Sequence, residues 1–336
     1  GSGGVLISNE IVPSRCRVLA GNIERMGRKN NAVFNASPDN ISKYYSKTFD
    51  VVICDVPCSG EGMMRKSEAA RDEWSEENIK MCAERSRGIL NSAAKCVKDG
   101  GYLLFSTCTF APEENEMAVV QFLENHCDFS LVSLNEKICA VTRPGITNLN
   151  LKYDLSLTRR FYPHVSQGEG QYIALFKRED DADFSIKTSR VRNPRLGITK
   201  KTEKQIAIDF MKENLSSIPP FEIYTLGENL VLLNDDIPIY GDGMFSCGVK
   251  IGKIQNGRII PHHQFFKAFG DLFYRRLDFH PDSPEASSYI RGNTIPSSCE
   301  NGWGVASVCG YVLGGIKTVN GVAKNHYPKG LRENTP

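Results

Sequence analysis

The chain has 336 residues, of which 40% are hydrophobic and 24% are charged, and its formal net charge is +2. This composition is that of an ordinary globular protein and excludes a disordered or collagen-like chain. The sequence contains no apolar run near the roughly 18 residues of a membrane span and no signal peptide. We therefore expect a cytoplasmic protein without membrane contact, built from two domains and a small third unit.

The cysteines are numerous but are not spaced like metal ligands. None of the eleven forms a CxxC pair, which disfavours a zinc site, and we predict no metal. A chain of this length can form a core without disulfides. We expect reduced thiols that mostly act as small hydrophobic side chains.

The first part of the chain alternates short apolar runs with helical patterns, which is typical of an α/β fold. A strand at 5–8 is followed by Glu10, and a helix is predicted over 11–26. An acid at the end of a strand commonly binds ribose hydroxyls in dinucleotide-type folds. A turn or helix-start role for Glu10 is equally compatible with the pattern.

Two cysteines each follow a predicted strand. Cys58 comes after the strand at 49–54, and Cys108 after the strand at 101–106, with a helical stretch over 68–98 between them. This order predicts parallel neighbouring strands, whose carboxyl ends form the ligand-binding edge of such sheets. The cysteines could be a coincidence, a redox pair or a thiolate nucleophile. A helix predicted to begin at about Pro112, with three acids in its first turn, would favour a thiolate at Cys108.

The second half of the chain becomes β-rich. Strands are predicted at 129–132 and 170–177, the latter antiparallel, and a charged stretch at 179–204 is either a solvated linker or an RNA contact. Helices are predicted over 205–215 and 265–277, and short strands over 222–226, 229–233, 248–253, 304–308 and 311–317. A small barrel with basic and aromatic tips suits RNA binding.

Two motifs carry a resemblance to a known family. The segments DVPCSGEGMMRK at 55–66 and STCTFAPEENE at 106–116 resemble those of the Nol/Nop/Sun family of RNA cytosine-5 methyltransferases. The segments at 248–252, 261–263 and 324–332 resemble the bacterial RsmF (YebU)-like branch, which modifies small-subunit rRNA.

The resemblance implies an α/β fold with a Rossmann-like methyltransferase domain, N-terminally incomplete, at 1–178. A linker at 179–204, a small α+β domain at 205–264 and a β-rich, PUA-like RNA-binding domain at 265–336 would follow.

The resemblance also implies the chemistry. Cys108 would add to carbon 6 of a cytosine, Asp55 would bind nitrogen 3, and Cys58 would assist loss of the carbon-5 proton and product release. Lys66 and Arg65 would contact RNA phosphate or base. A monomer acting on rRNA is expected, with a tRNA target or a non-catalytic RNA-binding role as alternatives.

The implied methyl donor is S-adenosylmethionine. Its ligands would be Glu10 at the ribose, Ser37 or Asp39 near the adenine, and Asp55. The family's Ala-Pro-Gly-Gly-Lys-like loop has no match in the sequence. We therefore expect this chain to bind the donor weakly or not at all.

Overall fold

The computed structural model describes residues 4–149, 152–180, 195–234 and 237–332. The chain folds into two compact units, a central unit, Ser37–Arg190, and a flanking unit formed by Gly1–Ala36 and Val191–Pro336. Most of the charged stretch predicted as a linker lies outside the described residues. The domain limits derived from the sequence stay a prediction.

The flanking unit begins with two parallel strands that enclose a helix. These are β1 (Leu6–Asn9), α1 (Pro13–Arg25) and β2 (Asn31–Phe34). All of β2 is buried, and its second edge pairs with a later strand of the same unit. The strand predicted at 5–8 and the helix predicted over 11–26 are confirmed to within two residues.

The central unit is built on one six-stranded sheet. Its strands are β3 (Phe49–Asp55), β4 (Val97–Thr107), β5 (Phe129–Leu131), β6 (Arg143–Pro144), β7 (Arg159–Phe161) and β8 (Gln171–Arg178). The order is β3-β4-β8-β7-β6, and β5 also pairs with β8. The pair β3 and β4 is parallel and β8 is antiparallel to β4, as predicted.

The described part of the central unit also contains the helices α2 (Pro38–Tyr44), α3 (Glu68–Asp72), α4 (Glu76–Cys96), α5 (Glu116–Asn125) and α6 (Glu136–Ala140). The core joins sheet residues such as Leu103 and Phe105 to Leu90 on α4 and Phe122 on α5. Apolar side chains of α4 and α5 recur at helical spacing, so each helix buries one face against the sheet.

The helix after Cys108 begins later than predicted. Residues 112–115 form turns, and α5 starts at Glu116. Glu114 and Glu116 are fully buried instead of lying in an exposed first turn. The Glu114 carboxylate accepts a hydrogen bond from the Ser59 N–H, and the Glu116 carboxylate accepts one from Arg160 on β7. Such bonds to charged groups outweigh the small stabilisation available from a helix dipole.

The rest of the flanking unit contains the helices α7 (Lys201–Asn214), α8 (His263–Phe269) and α9 (Pro284–Ile290). Its strands are β9 (Gly197–Ile198), β10 (Glu222–Leu226), β11 (Asn229–Leu233), β12 (Met244–Cys247), β13 (Val249–Gln255), β14 (Arg258–Pro261), β15 (Arg276–Phe279), β16 (Ile295–Pro296), β17 (Gly302–Val308), β18 (Tyr311–Val319) and β19 (Val322–Asn325). They form the sheets β1-β2-β12, β14-β13-β11-β10-β9 and β15-β17-β18-β19-β16.

The helix predicted over 265–277 was wrong in its second half. Helix α8 ends at Phe269, a short 3-10 turn follows, and the chain then enters β15, parallel to β17. A Cβ atom on Gly270 would lie 2.5 Å from Val312, so the turn packs tightly against β18. Burial of Leu277 in the sheet overrides the local helical pattern.

All eleven cysteines are free thiols, and Cys16, Cys54, Cys82, Cys96 and Cys247 are buried as expected of small hydrophobic side chains. In the described part of the chain, no cluster of three or more potential ligands could hold a metal ion. No helix among the same residues is both long and apolar enough to span a bilayer.

Candidate active site

Cys58 and Cys108 meet at the carboxyl edge of the central sheet. Asp55 at the end of β3 lies opposite Ser106 on β4, so the parallel register brings the following loops together. The two Sγ atoms are 3.0 Å apart, and the Cys108 backbone N–H donates to Sγ of Cys58 over 3.2 Å. The sequence placed each cysteine at a strand end, and the structure joins them into one site.

The two sulfurs differ in their proton affinity. The hydrogen bond between the two sulfurs, in which either could be the donor, is the main cause that lowers the pKa of Cys108 below its ordinary value. The same bond, followed by burial, raises the pKa of Cys58. The arrangement therefore favours a thiolate at Cys108 that accepts a hydrogen bond from a Cys58 thiol.

The loop that carries Cys58 is held by Glu114. This carboxylate is fully buried and accepts hydrogen bonds from the Ser59 backbone N–H over 3.0 Å and from the Ser59 hydroxyl over 2.5 Å. Burial raises the pKa of Glu114. Because Ser59 is the next residue after Cys58, these bonds fix the position of the Cys58 backbone.

The loop that carries Cys108 is held in turn by Glu61. One oxygen of Glu61 accepts hydrogen bonds from the Thr109 hydroxyl over 3.1 Å and from the Phe110 N–H over 3.0 Å. The other oxygen accepts a 2.9 Å hydrogen bond from the indole N–H of Trp74. Each cysteine loop is therefore positioned by a carboxylate that lies on another segment of the chain.

A buried ion pair anchors the chain beyond Cys108. The side chains of Glu116 and Arg160 are 0% and 2% exposed, and Nε of Arg160 donates to Glu116 over 2.7 Å. A second guanidinium N–H of Arg160 donates to the Phe110 carbonyl over 2.9 Å. Charge-assisted hydrogen bonds of this kind fix the geometry of the groups they join.

Asp55 lies at the same edge as the cysteines. Its carboxylate is exposed and accepts a 2.8 Å hydrogen bond from the hydroxyl of Ser106, two residues before Cys108. Its negative charge acts on Cys108 in the direction that raises the pKa of the thiol, opposing the bond from Cys58. A ligand that lies between Asp55 and Cys108 would contact a carboxylate on one side and a sulfur on the other.

Arg65 and Lys66 share one acidic partner. Arg65 donates to both oxygens of Glu169 over 3.1 Å, and the Lys66 ammonium lies 3.3 Å from the same carboxylate. The two basic side chains are 65% and 64% exposed. Both residues lie on the loop that begins at Cys58.

Two of the residues expected to bind a methyl donor, Glu10 and Ser37, make local contacts. Glu10 accepts a hydrogen bond from the Val12 N–H and pairs with Arg15, so both of its oxygens are used at the start of α1. Ser37 caps α2 by accepting from Asn40 N–H over 3.2 Å.

Asp39 is also engaged within the central unit. It accepts a 2.6 Å hydrogen bond from the hydroxyl of Ser92 on α4. Ser37 and Asp39 therefore both contribute to the packing of α2.

Sequence reasoning missed the groups that hold the site together, namely Glu61, Glu114, Glu116, Arg160 and Glu169. Four of them lie inside the segments that suggested the resemblance or within two residues of a predicted strand. Their acidic and basic types were visible, but each bonds to a partner far along the chain. A buried charge cannot be distinguished from an exposed one by its position in a motif.

Comparison with known proteins extends the resemblance to nearly the whole chain. The family model described as 16S rRNA methyltransferase RsmB/F matches residues 2–177, and the methyltransferase RsmF PUA domain matches residues 276–333. The predicted resemblance is confirmed, as is the predicted α/β fold with a C-terminal PUA domain.

The curated proteins that are similar to this chain are named as rRNA methyltransferases. The ribosomal RNA small subunit methyltransferase F of Aeromonas salmonicida is 27% identical, over 98% of this chain and 68% of its own. The 26S rRNA (cytosine-C(5))-methyltransferase nsun-1 of Caenorhabditis elegans is 34% identical, over 54% of this chain and 28% of its own.

A solved methyltransferase homologue from Pyrococcus horikoshii is 28% identical with a TM-score of 0.45. The match covers 53% of this chain and 54% of that one, so the chain spans about half of the solved protein. Since the first family model alone covers more than half of the sequence, the chain belongs to the RsmB/F family of 16S rRNA methyltransferases.

Proposed function

We propose that this protein transfers a methyl group from S-adenosylmethionine to carbon 5 of a cytosine in small-subunit rRNA, through a covalent bond to Cys108. The observation that carries the proposal is the Cys58–Cys108 pair, with Sγ atoms 3.0 Å apart and a lowered pKa at Cys108. A cysteine nucleophile needs this kind of thiolate stabilisation. Membership of the family supports the methyl donor and the RNA substrate.

The reaction begins at Cys108. Carbon 5 of cytosine is a poor nucleophile, but addition of the Cys108 thiolate to carbon 6 moves the π electrons of the 5,6 double bond towards carbon 5. Asp55 is proposed to hydrogen-bond or protonate nitrogen 3, which offsets the negative charge that addition places on the ring. Its carboxylate lies at the same edge of the sheet and accepts a hydrogen bond from Ser106. When bound, S-adenosylmethionine supplies the methyl group that carbon 5 then takes.

Cys58 acts in the second half of the reaction. Its pKa is raised chiefly by the hydrogen bond to Cys108, and that cause disappears once the Cys108 sulfur is bonded to carbon 6. The Cys108 N–H continues to stabilise a Cys58 thiolate over 3.2 Å. Cys58 then loses its own proton to water, and the Cys58 thiolate accepts the carbon-5 proton. The double bond re-forms, and the Cys108 thiolate is expelled.

Lys66 and Arg65 are proposed to contact the RNA beside this pair. Both are largely exposed and cationic, and both lie on the loop that starts at Cys58. Phosphate contacts by Lys and Arg provide most of the affinity of proteins for nucleic acids. The target cytosine must be unpaired or turned out of its helix to reach the sulfurs.

Glu10, Ser37, Asp39 and Asp55 are proposed as ligands of the methyl donor, on the strength of the family resemblance. For Glu10 this role requires the contact with Arg15 to open. For Ser37 and Asp39 it competes with the cap of α2 and the bond to Ser92. Asp55 keeps an exposed carboxylate at the edge of the sheet.

Release of tritium from carbon 5 tests the proposal without depending on tight donor binding. The substrate is small-subunit rRNA labelled at carbon 5 of cytosine, with labelled tRNA as the comparison. Addition of Cys108 makes carbon 5 exchangeable, so the wild-type chain should release tritium, preferentially from the rRNA. Cys108→Ala should abolish release, and Cys58→Ala should slow it while a covalent RNA adduct accumulates with the donor.

The exposed Cys127 provides a matched control, and Cys127→Ala should behave like the wild type. Tritium release that persists in Cys108→Ala would contradict the proposal. An adduct that forms through Cys58 in the Cys108 variant would reverse the two roles.

A further inference from the structure

Three rings form a stack that leads from the Cys108 loop towards the surface. The Phe110 and Tyr162 ring centroids are 5.7 Å apart with planes 18° apart, and those of Tyr162 and His164 are 5.3 Å apart at 26°. Phe110 is two residues after Cys108, and His164 is exposed. The stack therefore begins two residues after Cys108 and ends at a solvent-exposed side chain.

The inner end of the stack is closed by the chain itself. A Cβ atom built on Gly170 would lie 2.2 Å from Cζ of Phe110, so the backbone at Gly170 packs directly against that ring. The outer residue of the stack, His164, is exposed to solvent. A planar ligand could extend the stack at His164.

Two cations lie on the loops that flank the stack. Arg65 and Lys66 both bind the carboxylate of Glu169, which follows His164 by five residues on the same loop. Arg65 also donates to the Gly168 carbonyl over 3.4 Å. The single negative charge of Glu169 therefore faces the two positive charges of Arg65 and Lys66. The three side chains together carry a net positive charge, which attracts an anion.

Backbone contacts fix this surface relative to Cys108. The Gly62 N–H donates to the Cys108 carbonyl over 2.9 Å, and the Gly62 carbonyl accepts from the Gly170 N–H over 3.4 Å. A Cβ atom on Gly62 would lie 2.5 Å from the Gly170 carbonyl oxygen. The three loops are packed so closely that the stack and the cations keep a defined position beside the nucleophile.

We propose that Tyr162, His164, Arg65 and Lys66 form a subsite for the nucleotide next to the target cytosine. Its base stacks on His164, and its phosphate contacts Lys66 and Arg65 in exchange for Glu169. A nucleotide is the ligand that needs both an open aromatic stack and cations, whereas an acidic peptide would use the cations alone. The subsite rests on the proposed function, because the target cytosine defines which nucleotide is its neighbour.

Stacking on an aromatic side chain is tolerant of base identity and changes binding constants by roughly 5- to 150-fold, equivalent to about 1–3 kcal/mol at about 1.4 kcal/mol per tenfold. The subsite should therefore hold a neighbouring base of any sequence. Its contribution should be lost with an aliphatic side chain at position 164 and kept with an aromatic one.

A short single-stranded RNA with 5-azacytosine at the target position and 2-aminopurine as its neighbour tests the subsite on the full chain. The Cys108 thiolate bonds to carbon 6, the electrons of the adjacent double bond move to nitrogen 5, and nitrogen 5 takes a proton from water. This adduct fixes which nucleotide of the RNA lies at Cys108. A denaturing gel measures the fraction of RNA that is bonded to the protein. Quenching of 2-aminopurine fluorescence reports stacking of the neighbouring base.

We expect His164→Ala to lose the quenching and to weaken RNA binding within the range given above, while His164→Phe restores both. The exposed His280 of the flanking unit supplies the control, and His280→Ala should quench like the wild type. Failure of the wild-type chain to form the adduct would overturn the proposed function. An adduct with quenching that is the same in His164→Ala and the wild type would overturn the subsite alone.

Discussion

Two arginine–glutamate pairs of the central unit show how burial changes what the same interaction does. The Arg160–Glu116 pair is 2% and 0% exposed, whereas the Arg65–Glu169 pair is 65% and 13% exposed. A buried charge that loses its partner is strongly destabilising, while an exposed pair contributes about 0–1 kcal/mol. The buried pair is suited to hold the cysteine loops, and the exposed pair is suited to exchange its carboxylate for a ligand.

Removing one member of the buried pair should have the largest effect. Glu116→Ala leaves the Arg160 guanidinium buried without its carboxylate, and we expect the free energy of unfolding to fall by about 3–5 kcal/mol. Chemical denaturation followed by circular dichroism measures the change. Glu113→Ala, at an exposed neighbouring carboxylate, should stay within about 0.5 kcal/mol of the wild type.

A loss no larger in Glu116→Ala than in Glu113→Ala would contradict this comparison. It would mean that the buried pair contributes no more than an exposed carboxylate does. The anchoring of Phe110 by Arg160 would then need another cause.

Substitution of Cys58 should have an effect of intermediate size, which is a change in the pKa of Cys108. The hydrogen bond from Cys58 is the main cause that lowers the pKa of Cys108, so Cys58→Ala should raise that pKa. Since the thiolate forms as pH rises through the pKa, alkylation of Cys108 by iodoacetamide should then begin at higher pH than in the wild type. Peptide mass spectrometry across a pH series measures the alkylated fraction of Cys108.

The exposed Cys127 serves as an internal reference for the reagent in the same samples. An alkylation profile of Cys108 that stays in place or moves to lower pH in Cys58→Ala would show that Cys58 does not stabilise the thiolate. The proposed division of roles between the two cysteines would then lose its electrostatic basis.

The exposed pair should give the smallest change in stability. We expect Arg65→Ala to alter the free energy of unfolding by no more than about 1 kcal/mol. The same variant should weaken RNA binding and reduce the slope of log affinity against log salt by about 1, because one phosphate contact is lost. Denaturation and fluorescence anisotropy at several salt concentrations measure the two effects.

A stability loss in Arg65→Ala as large as that of Glu116→Ala would remove the distinction between the two pairs. An unchanged salt slope would show that Arg65 does not contact phosphate. Lys43→Ala, at another cation of the central unit, is the matched control for the loss of one positive charge.

The sequence was most informative where local pattern and tertiary packing agree. The strands before Cys58 and Cys108 are short apolar runs, and the helical stretch between them requires a parallel pairing, which the structure has. The prediction from sequence was wrong after Phe110 and after Phe269. Turns replace the predicted start of a helix at the first position, and a 3-10 turn and a strand replace the second half of a helix at the other. In both places, interactions with distant segments overrode local propensity.

By itself the sequence determined that two cysteines follow neighbouring parallel strands and that their motifs belong to one family. Only the tertiary structure decided that the sulfurs are 3.0 Å apart and that Glu114 and Glu116 are buried acceptors. The physical reason is that burial and hydrogen bonding depend on which distant segments meet. Ser59 and Glu114 are 55 residues apart in sequence, and no local pattern predicts that one carboxylate accepts two hydrogen bonds from that serine.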